Sequence, residues 1–221
     1  DDARGVRRLR RVYGVGRRVR CEAVGDMAYW VPECYGVCRA DKGDVIGINV
    51  LAGSNFKRYG HQFTEEQMLD LYCDVLRVLD EKGLPWKLFI NGIASDRKFA
   101  EKLKKRLHAP ALQVEDPSTA KEMLEMVASF RAILGGRLHT CISAYALDVP
   151  VLGFYWDEKM NRFAHLAKIE DLFYSEAQMD GTAIGEKLAD LYRDGYAYDR
   201  KNRAYWKGRT MACLGEFLDG I

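Results

Sequence analysis

The nine residues A-I-L-G-G-R-L-H-T at positions 132–140 join an apolar run to two glycines and then to a helix-like segment. This pattern predicts a buried strand, a tight turn and a helix that begins next to Arg137 and His139. Such a turn brings backbone N–H groups and the N-terminus of a helix close to a bound anion. A guanidinium can hold phosphate or carboxylate with a planar fork of donors, and an imidazole can move a proton near neutral pH.

The same turn also has a purely structural interpretation. Gly135 and Gly136 can serve only to allow a tight turn, Arg137 can pair with a carboxylate of the protein, and His139 can cap a helix. The position of the turn favours a functional role, because it lies in the middle of a predicted sheet, at the edge where ligands bind. We therefore expect an anion-binding and proton-transfer site there.

Alternating strand-like and helix-like segments extend from Asp44 to the C-terminus. Their order, βαβαβαβαβαβα, predicts an α/β fold with a doubly wound parallel sheet. The first strand is the apolar run 44–51, and capping boxes at Thr64 and Thr119 begin two of the helices. The carboxyl ends of parallel strands share one edge, which is the ligand-binding edge. The loops predicted at that edge are 52–63, 92–95, 115–119, 135–139 and 155–157.

Several other segments have weaker periodicity but still give local predictions. Residues 32–43, for example, contain Pro, Gly, Asp and Lys with little periodicity, which is typical of a linker. The remaining predictions of this kind are a basic helix at 1–14, a strand at 18–24, a loop at 25–30, a helix cap at Ser95, a strand at 111–114 and a long amphipathic helix at 199–218.

The composition excludes several classes of protein. The chain has 221 residues and a formal net charge of +2, and no apolar run approaches the about 20 residues of a membrane helix. Eight arginines lie within the first 20 positions, but no aromatic platform accompanies them, so we predict no nucleic-acid partner. The six cysteines are scattered and lack a zinc-binding spacing, so we predict reduced thiols, no metal site and no cofactor. We find no secretory signal, and because the chain begins with Asp1 we expect it to be a fragment or a processed form.

A longer pattern surrounds the central turn. Arg137, Leu138 and His139 precede a small apolar helix, the run D-V-P-V-L-G-F-Y-W-D-E-K at positions 148–159, and then Phe163. This arrangement resembles the polysaccharide pyruvyl transferase family, in which a strand, Arg-Leu-His, an alanine-rich helix, Gly-Val-Pro, a glycine-containing strand, Tyr, Asp and Lys follow one another. The resemblance is closest over residues 131–163 and extends loosely from residue 25 to the C-terminus. The sequence departs from the family pattern at Met27, Gly135, Gly136 and Asp148.

The resemblance implies a fold with two Rossmann-like lobes, as in GT-B glycosyltransferases. It divides this chain into a remnant of the N-terminal lobe with a linker (1–43), the Rossmann-like C-terminal lobe (44–198) and a C-terminal helix that docks on the other lobe (199–221). It also implies transfer of a pyruvyl group from phosphoenolpyruvate to two hydroxyls of a sugar, giving a ketal, in cell-surface polysaccharide synthesis. The functional Arg and His of the family correspond to Arg137 and His139, which are the predicted catalytic residues.

Phosphoenolpyruvate carries a phosphate and a carboxylate, so the predicted substrate site needs several cationic and N–H groups. We predict contacts from Gly135, Gly136 and Leu138 through the backbone of the turn. Side-chain cations are predicted from three residues on loops at the same edge, which are Lys57, Arg58 and Lys159. For each of these three, an ordinary solvated surface charge is the competing interpretation.

The predicted partners are the phosphoenolpyruvate donor and an acceptor that is a sugar or a lipid-linked saccharide. We expect a cytoplasmic enzyme, and both a homo-oligomer and association with the inner face of the membrane remain open. Two other functions also remain open. One is a GT-B glycosyltransferase that uses a nucleotide sugar, and the other is a non-catalytic α/β anion-binding module whose basic N-terminus contacts an anionic partner.

Overall fold

The computed structural model describes Arg11 and residues 22–39 and 43–219, and it is built around one six-stranded sheet. The strands are Ile46–Asn49 (β1), Trp86–Phe89 (β2), Val114–Glu115 (β3), Ala132–Gly135 (β4), Val151–Phe154 (β5) and Phe173–Tyr174 (β6). All neighbouring strands pair in parallel, in the order β3-β2-β1-β4-β5-β6. The predicted parallel α/β sheet is therefore confirmed.

Helices cover both faces of the sheet. The α-helices are Val31–Tyr35 (α1), Ser54–Arg58 (α2), Glu65–Glu81 (α3), Ala94–Arg106 (α4), Ala120–Ser129 (α5), Leu138–Ala146 (α6), Glu158–Ala167 (α7), Gly181–Asp194 (α8) and Arg200–Asp219 (α9). Shorter 3₁₀ helices span Met27–Trp30, Glu170–Leu172 and Glu176–Gln178. Helix α3 contacts α4 and α8, whereas α6 contacts α5 and α7. With right-handed crossovers, these two groups form the two outer layers, as the doubly wound prediction requires.

Burial explains why the central strands are apolar along their whole length. All four residues of β1, β4 and β5 are buried, because each strand has a helix layer on both faces. The two predicted capping boxes are confirmed. Thr64 and Gln67 begin α3 and Thr119 and Glu122 begin α5, each pair exchanging side-chain and backbone hydrogen bonds.

The N-terminal segment is more helical than predicted. The loop at 25–30 and the linker at 32–43 were wrong in part, because Met27–Trp30 is a 3₁₀ helix and α1 follows it directly. Asp26 caps the first of these by accepting a hydrogen bond from the backbone N–H of Ala28 at 2.8 Å. Pro32 fits in the first turn of α1, where it costs no hydrogen bond, and the helix ends at Gly36 with φ 62°.

Three other local predictions were also wrong. The loop at 52–63 contains α2, and β3 lies at residues 114–115 rather than 111–114. Ser95 does not cap α4, because that helix begins one residue earlier with Ile93 at the N-cap position. The predicted helix at 1–14 falls outside the described residues apart from Arg11, as does most of the strand at 18–24, whose described residues 22–24 are not in a strand.

Helix α9 packs along the N-terminal segment of the chain. The backbone N–H of Gly25 donates to Thr210 Oγ1 at 2.9 Å, and Arg209 Nε donates to the carbonyl of Ala23 at 2.7 Å. Lys207 lies over the Trp30 ring, 5.3 Å from its centroid. The predicted division at residues 43 and 199 stays a prediction, but the two outer segments do contact each other. No helix among the described residues, α9 included, is long and apolar enough to cross a membrane.

Candidate functional site

The strand order places the predicted turn at the centre of the sheet edge. Chain connections run in one direction from β1 to β3 and in the other from β4 to β6, so β1 and β4 are neighbours at the switch point. In open parallel sheets, the crevice outside the carboxyl ends of two such strands is the usual ligand site. The residues that follow β1 lead into α2, and those that follow β4 lead into α6. The turn at 135–139 therefore lies at the position where a ligand is expected.

The two glycines let this turn pack closely against its neighbours. A Cβ atom on Gly136 would lie 2.5 Å from Leu51 Cβ and 2.9 Å from the carbonyl oxygen of Asn49. A Cβ atom on Gly135 would lie 2.6 Å from Cys141 Sγ. Both glycines are buried, so close packing accounts for their presence. Their predicted contact with substrate stays a prediction, and only their backbone atoms could make it.

Arg137 forms a forked ion pair with a buried aspartate. Its Nε donates to Asp96 Oδ2 and its Nη2 to Asp96 Oδ1, both at 2.7 Å. The Asp96 side chain is 0% exposed and that of Arg137 is 13% exposed. Asp96 Oδ1 also accepts a hydrogen bond from the backbone N–H of Ala52 at 3.0 Å. A buried carboxylate needs such partners, so the structural interpretation of Arg137 holds for most of its fork.

The guanidinium nevertheless keeps some capacity for a ligand. Of its five N–H donors, two bind Asp96 and one of those on Nη1 approaches Asn55 Oδ1 at 3.4 Å. Two N–H groups of Arg137 remain for another acceptor. The charge of Arg137 is largely neutralised by Asp96, however, so its contribution to an anion site is directional hydrogen bonding rather than net charge.

An aromatic wall supports the other side of the guanidinium. The Trp156 ring centroid lies 5.6 Å from the Arg137 guanidinium carbon, within the range of a cation–π contact. The Trp156 indole N–H donates to the carbonyl of Gly136 at 2.8 Å, and Tyr59 packs edge-on against the same ring at 5.3 Å. Trp156 therefore fixes both the turn and the arginine that follows it.

A polar network holds the first turn of α6 to the ends of β1 and β2. The buried Asn49 side chain accepts hydrogen bonds through Oδ1 from the Arg137 backbone N–H and from Thr140 Oγ1, both at 3.0 Å. Asn49 Nδ2 donates to Asn91 Oδ1 at 2.8 Å, and Asn91 Nδ2 donates to Thr140 Oγ1 at 2.9 Å. These bonds join three elements, so the start of α6 is rigidly placed relative to the sheet.

Of the two predicted catalytic residues, His139 makes fewer contacts with the rest of the described chain. It is the second residue of α6, its side chain is exposed, and it makes no hydrogen bond or ion pair with the described part of the chain. Arg137 occupies the N-cap position and no side chain caps the helix. The first N–H groups of a helix have no partner within the helix, so those of Leu138 and His139 can donate hydrogen bonds to an anion. The imidazole and these N–H groups lie next to each other at the mouth of the site.

The three predicted cations lie on elements that border the site. Lys57 and Arg58 are exposed in the last turn of α2, the helix whose Asn55 and Tyr59 contact Arg137 and Trp156. Helical spacing places Arg58 on the side of these two residues and Lys57 on the opposite side. Lys159 is exposed in the first turn of α7, and its backbone N–H donates to Oδ1 of Asp157, the N-cap residue, at 3.1 Å. None of the three cations forms an ion pair with a described residue, and their substrate contacts stay predictions.

Sequence reasoning did not identify four residues that build the site, which are Asn49, Asn55, Asp96 and Trp156. For two of these residues the sequence did contain a signal of a functional position. Asn49 is a polar residue at the end of an apolar strand, and Asp96 is a carboxylate beside a loop of the ligand-binding edge. Asn55 had no signal, because the short helix that carries it was itself missed.

Comparisons with known proteins agree with the sequence pattern. A model of the polysaccharide pyruvyl transferase family matches residues 2–158, which is more than half of the chain. No curated protein matches the sequence. Among solved structures, the chain is similar to that of WaaG, a glycosyltransferase involved in lipopolysaccharide biosynthesis, with 16% identity and a TM-score of 0.45. The similarity covers 82% of this chain and 45% of the WaaG chain, so this chain spans less than half of that structure's length.

Proposed function

Because the chain belongs to the polysaccharide pyruvyl transferase family, we propose that it forms the donor-binding lobe of an enzyme that pyruvylates a sugar. Two sugar hydroxyls bond to C2 of phosphoenolpyruvate, the bond between C2 and the phosphate oxygen breaks, and a ketal and phosphate result. One hydroxyl proton goes to the methylene carbon, which becomes a methyl group, and the other leaves with phosphate. The site therefore has to bind an anion and move protons.

The start of α6 has the groups that the donor requires. The free N–H groups of Leu138 and His139 suit the phosphate or the carboxylate, and the two remaining N–H groups of Arg137 can orient it. Since Asp96 neutralises Arg137, the net positive charge has to come from the rim. We assign that part first to Arg58 and Lys159, with Lys57 further from the site.

The observation that carries the proposal is the exposed imidazole of His139, which has no polar partner among the described residues and lies beside Arg137 at the switch point of the sheet. We propose that this imidazole acts as the acid and base, taking the proton of the attacking hydroxyl and delivering a proton to the methylene carbon. A histidine suits both steps because its charge can change near neutral pH. The acceptor, as a sugar or a lipid-linked saccharide, is proposed to bind mainly to the other lobe of a two-lobed enzyme. We further propose that this enzyme acts at the cytoplasmic face of the membrane.

The test compares two histidines in the full-length enzyme by phosphate release from phosphoenolpyruvate with a sugar acceptor. We expect His139→Ala to lower kcat by about 10²–10⁴-fold, the range for loss of a general acid or base. His165→Ala is the matched control, because His165 is also exposed but pairs with Glu170 at 2.8 Å on the last turn of α7. Near-normal activity of the His139 variant would exclude its role as acid and base.

A ligand titration of the chain itself tests the donor separately. We expect phosphoenolpyruvate to raise the melting temperature and nucleoside diphosphates to have no effect. A shift with nucleoside diphosphates alone would favour a nucleotide-sugar glycosyltransferase. The absence of a shift with any of these ligands would contradict the assignment of the donor site to this lobe.

A further inference from the structure

A polar groove lies at the amino ends of the strands, on the opposite side of the sheet from the candidate active site. Its volume is about 800 Å³. It lies between the C-terminal ends of α6 and α8, the N-terminus of α9 and the residues that precede β4 and β5. Residues of the N-terminal segment, including Pro32 and Val37, form one apolar wall. The charged residues that line the groove are four arginines and two aspartates, which are Arg39, Arg131, Arg193, Arg200, Asp148 and Asp194.

Among the described residues, the hydrogen-bond partners of two of these arginines are main-chain carbonyls only. Arg39 donates to the carbonyls of Asp148 and Arg131, the second at 3.3 Å. Arg131 donates to the carbonyls of Tyr192 at 2.7 Å and Arg193 at 3.3 Å. No described carboxylate lies within ion-pair distance of either guanidinium. Each uses two of its five N–H donors in these bonds, so each keeps three for another acceptor.

The local charge balance leaves these two arginines without a full counter-charge. Asp148 is already shared by Arg203 at 2.8 Å and Arg200 at 3.1 Å. Burial lowers the pKa of Arg39, and the nearby charge of Arg131 lowers it further. The carboxyl ends of α6 and α8 each contribute about half a negative charge, which offsets only part of the excess of arginine over aspartate. The groove therefore remains positively charged, and an anion would stabilise Arg39 in its charged form.

We propose that this groove is a second anion site, which binds a phosphate group between Arg39 and Arg131. A phosphate offers several oxygens to two planar guanidinium forks, whereas a single carboxylate would satisfy only one fork well. The apolar wall at Pro32 and Val37 can receive the organic part of a phosphate ester. Either a soluble phosphate compound or a phospholipid headgroup has this chemistry. The site is independent of the proposed pyruvyl transfer, because it lies at the other edge of the sheet.

Calorimetric titration of the chain with inorganic pyrophosphate tests the site. We expect Arg39→Met and Arg131→Met each to weaken binding by about tenfold or more, as loss of a charge-assisted hydrogen bond does. Arg77→Met is the matched control, because Arg77 is an exposed arginine with carboxylate partners at 3.1 and 3.3 Å. A loss of affinity in the Arg39 and Arg131 variants assigns the binding to this groove, because neither residue lies at the candidate active site. Wild-type affinity in both groove variants, or no binding to the wild-type chain, would overturn the proposal.

Because Arg39 and Arg131 also hold carbonyls in place, their variants need a check of folding by circular dichroism. Arg200→Met provides a second test that does not depend on that check, since the Arg200 side chain is 74% exposed. It removes one groove charge, so we expect weaker binding of pyrophosphate at unchanged melting temperature, and unchanged affinity would count against the site. The source of the phosphate follows from sedimentation with vesicles. Binding to phosphatidylglycerol but not phosphatidylcholine vesicles, lost in Arg39→Met, identifies a lipid headgroup, and no vesicle binding identifies a soluble phosphate compound.

Discussion

Replacing Asp96 by Asn is the most direct test of how the candidate site is held together. The substitution keeps the shape of the side chain but removes its charge and turns one acceptor into a donor. One of the two 2.7 Å bonds from Arg137 is then lost, and an amide N–H faces a guanidinium N–H instead. The guanidinium, whose side chain is 13% exposed, is left without its counter-charge. We expect a loss of about 3 kcal/mol in the free energy of unfolding, the lower end of the range for breaking a buried pair.

The control is an arginine–aspartate pair at the surface of the same protein, in which two N–H groups of the arginine donate to a single carboxylate oxygen. Arg97 donates through Nε and Nη2 to Asp116 Oδ2, and the two side chains are 55% and 28% exposed. Because solvent screens this pair, we expect Asp116→Asn to cost less than about 1 kcal/mol. The two variants therefore compare the loss of a buried ion pair with the loss of an exposed one.

Urea unfolding followed by circular dichroism measures both losses. With an m-value of about 2 kcal/mol/M, the Asp96→Asn midpoint should fall by about 1.5 M and the Asp116→Asn midpoint by less than about 0.5 M. Equal midpoints for the two variants would refute the reasoning, because the Arg137–Asp96 pair would then contribute no more than an exposed one. A changed m-value would indicate instead that the denatured or native state has changed in compactness.

Two further predictions concern packing and pH. Gly136→Ala should lower stability by about 1–3 kcal/mol in thermal unfolding, because the added Cβ would lie 2.5 Å from Leu51 Cβ. Gly208→Ala in α9 is the control and should be neutral or stabilising, because nothing lies within 4 Å of the added Cβ. Equal effects of the two substitutions would contradict the role of close packing at Gly136. Burial, followed by the effect of Asp171, raises the pKa of Tyr196 to about 12 from the value of 10.0 expected in the unfolded chain, so the folded protein keeps a proton that the unfolded chain releases. Stability should therefore fall as pH rises from 10.0 to about 12, and Tyr196→Phe should make that fall less steep in urea titrations; an unchanged slope would show that Tyr196 does not contribute.

The sequence was sufficient for several elements whose signal was local. The strand Ala132–Gly135 and the helix that begins at Leu138 were predicted, because an apolar run, two glycines and a helix-like segment follow one another within nine residues. The helix that begins after Thr64 was predicted from its capping box, in which both partners lie within four residues. The helix Ser54–Arg58 was missed, because it is a single turn and Gly53 caps it without a side-chain hydrogen bond. Short elements of this kind depend on tertiary packing rather than on local sequence.

The composition of the candidate site was predictable only in part, for a different reason. Arg137 and His139 were identified because a family pattern and a strand–turn–helix signal coincide on one short stretch. Asp96 lies 41 residues before Arg137 in the sequence, and the two meet only because the strand order makes β1 the neighbour of both β2 and β4. The strand order depends on long-range pairing, which periodicity within a segment does not encode.

The ion pair between Asp96 and Arg137 has a consequence for donor binding at the proposed site. A bare guanidinium would attract phosphoenolpyruvate by charge, but a neutralised one contributes mainly through the direction of its two free N–H groups. Under the proposed assignment, the attraction then depends on the exposed cations Arg58 and Lys159, and salt screens exposed charges over about 10 Å at 0.1 M ionic strength. Donor affinity should therefore fall as salt is added, while the buried pair that positions Arg137 persists. In the proposed reaction phosphate has to leave after transfer, and a site whose charge lies at a screened rim would hold this anionic product less tightly than a bare buried arginine would.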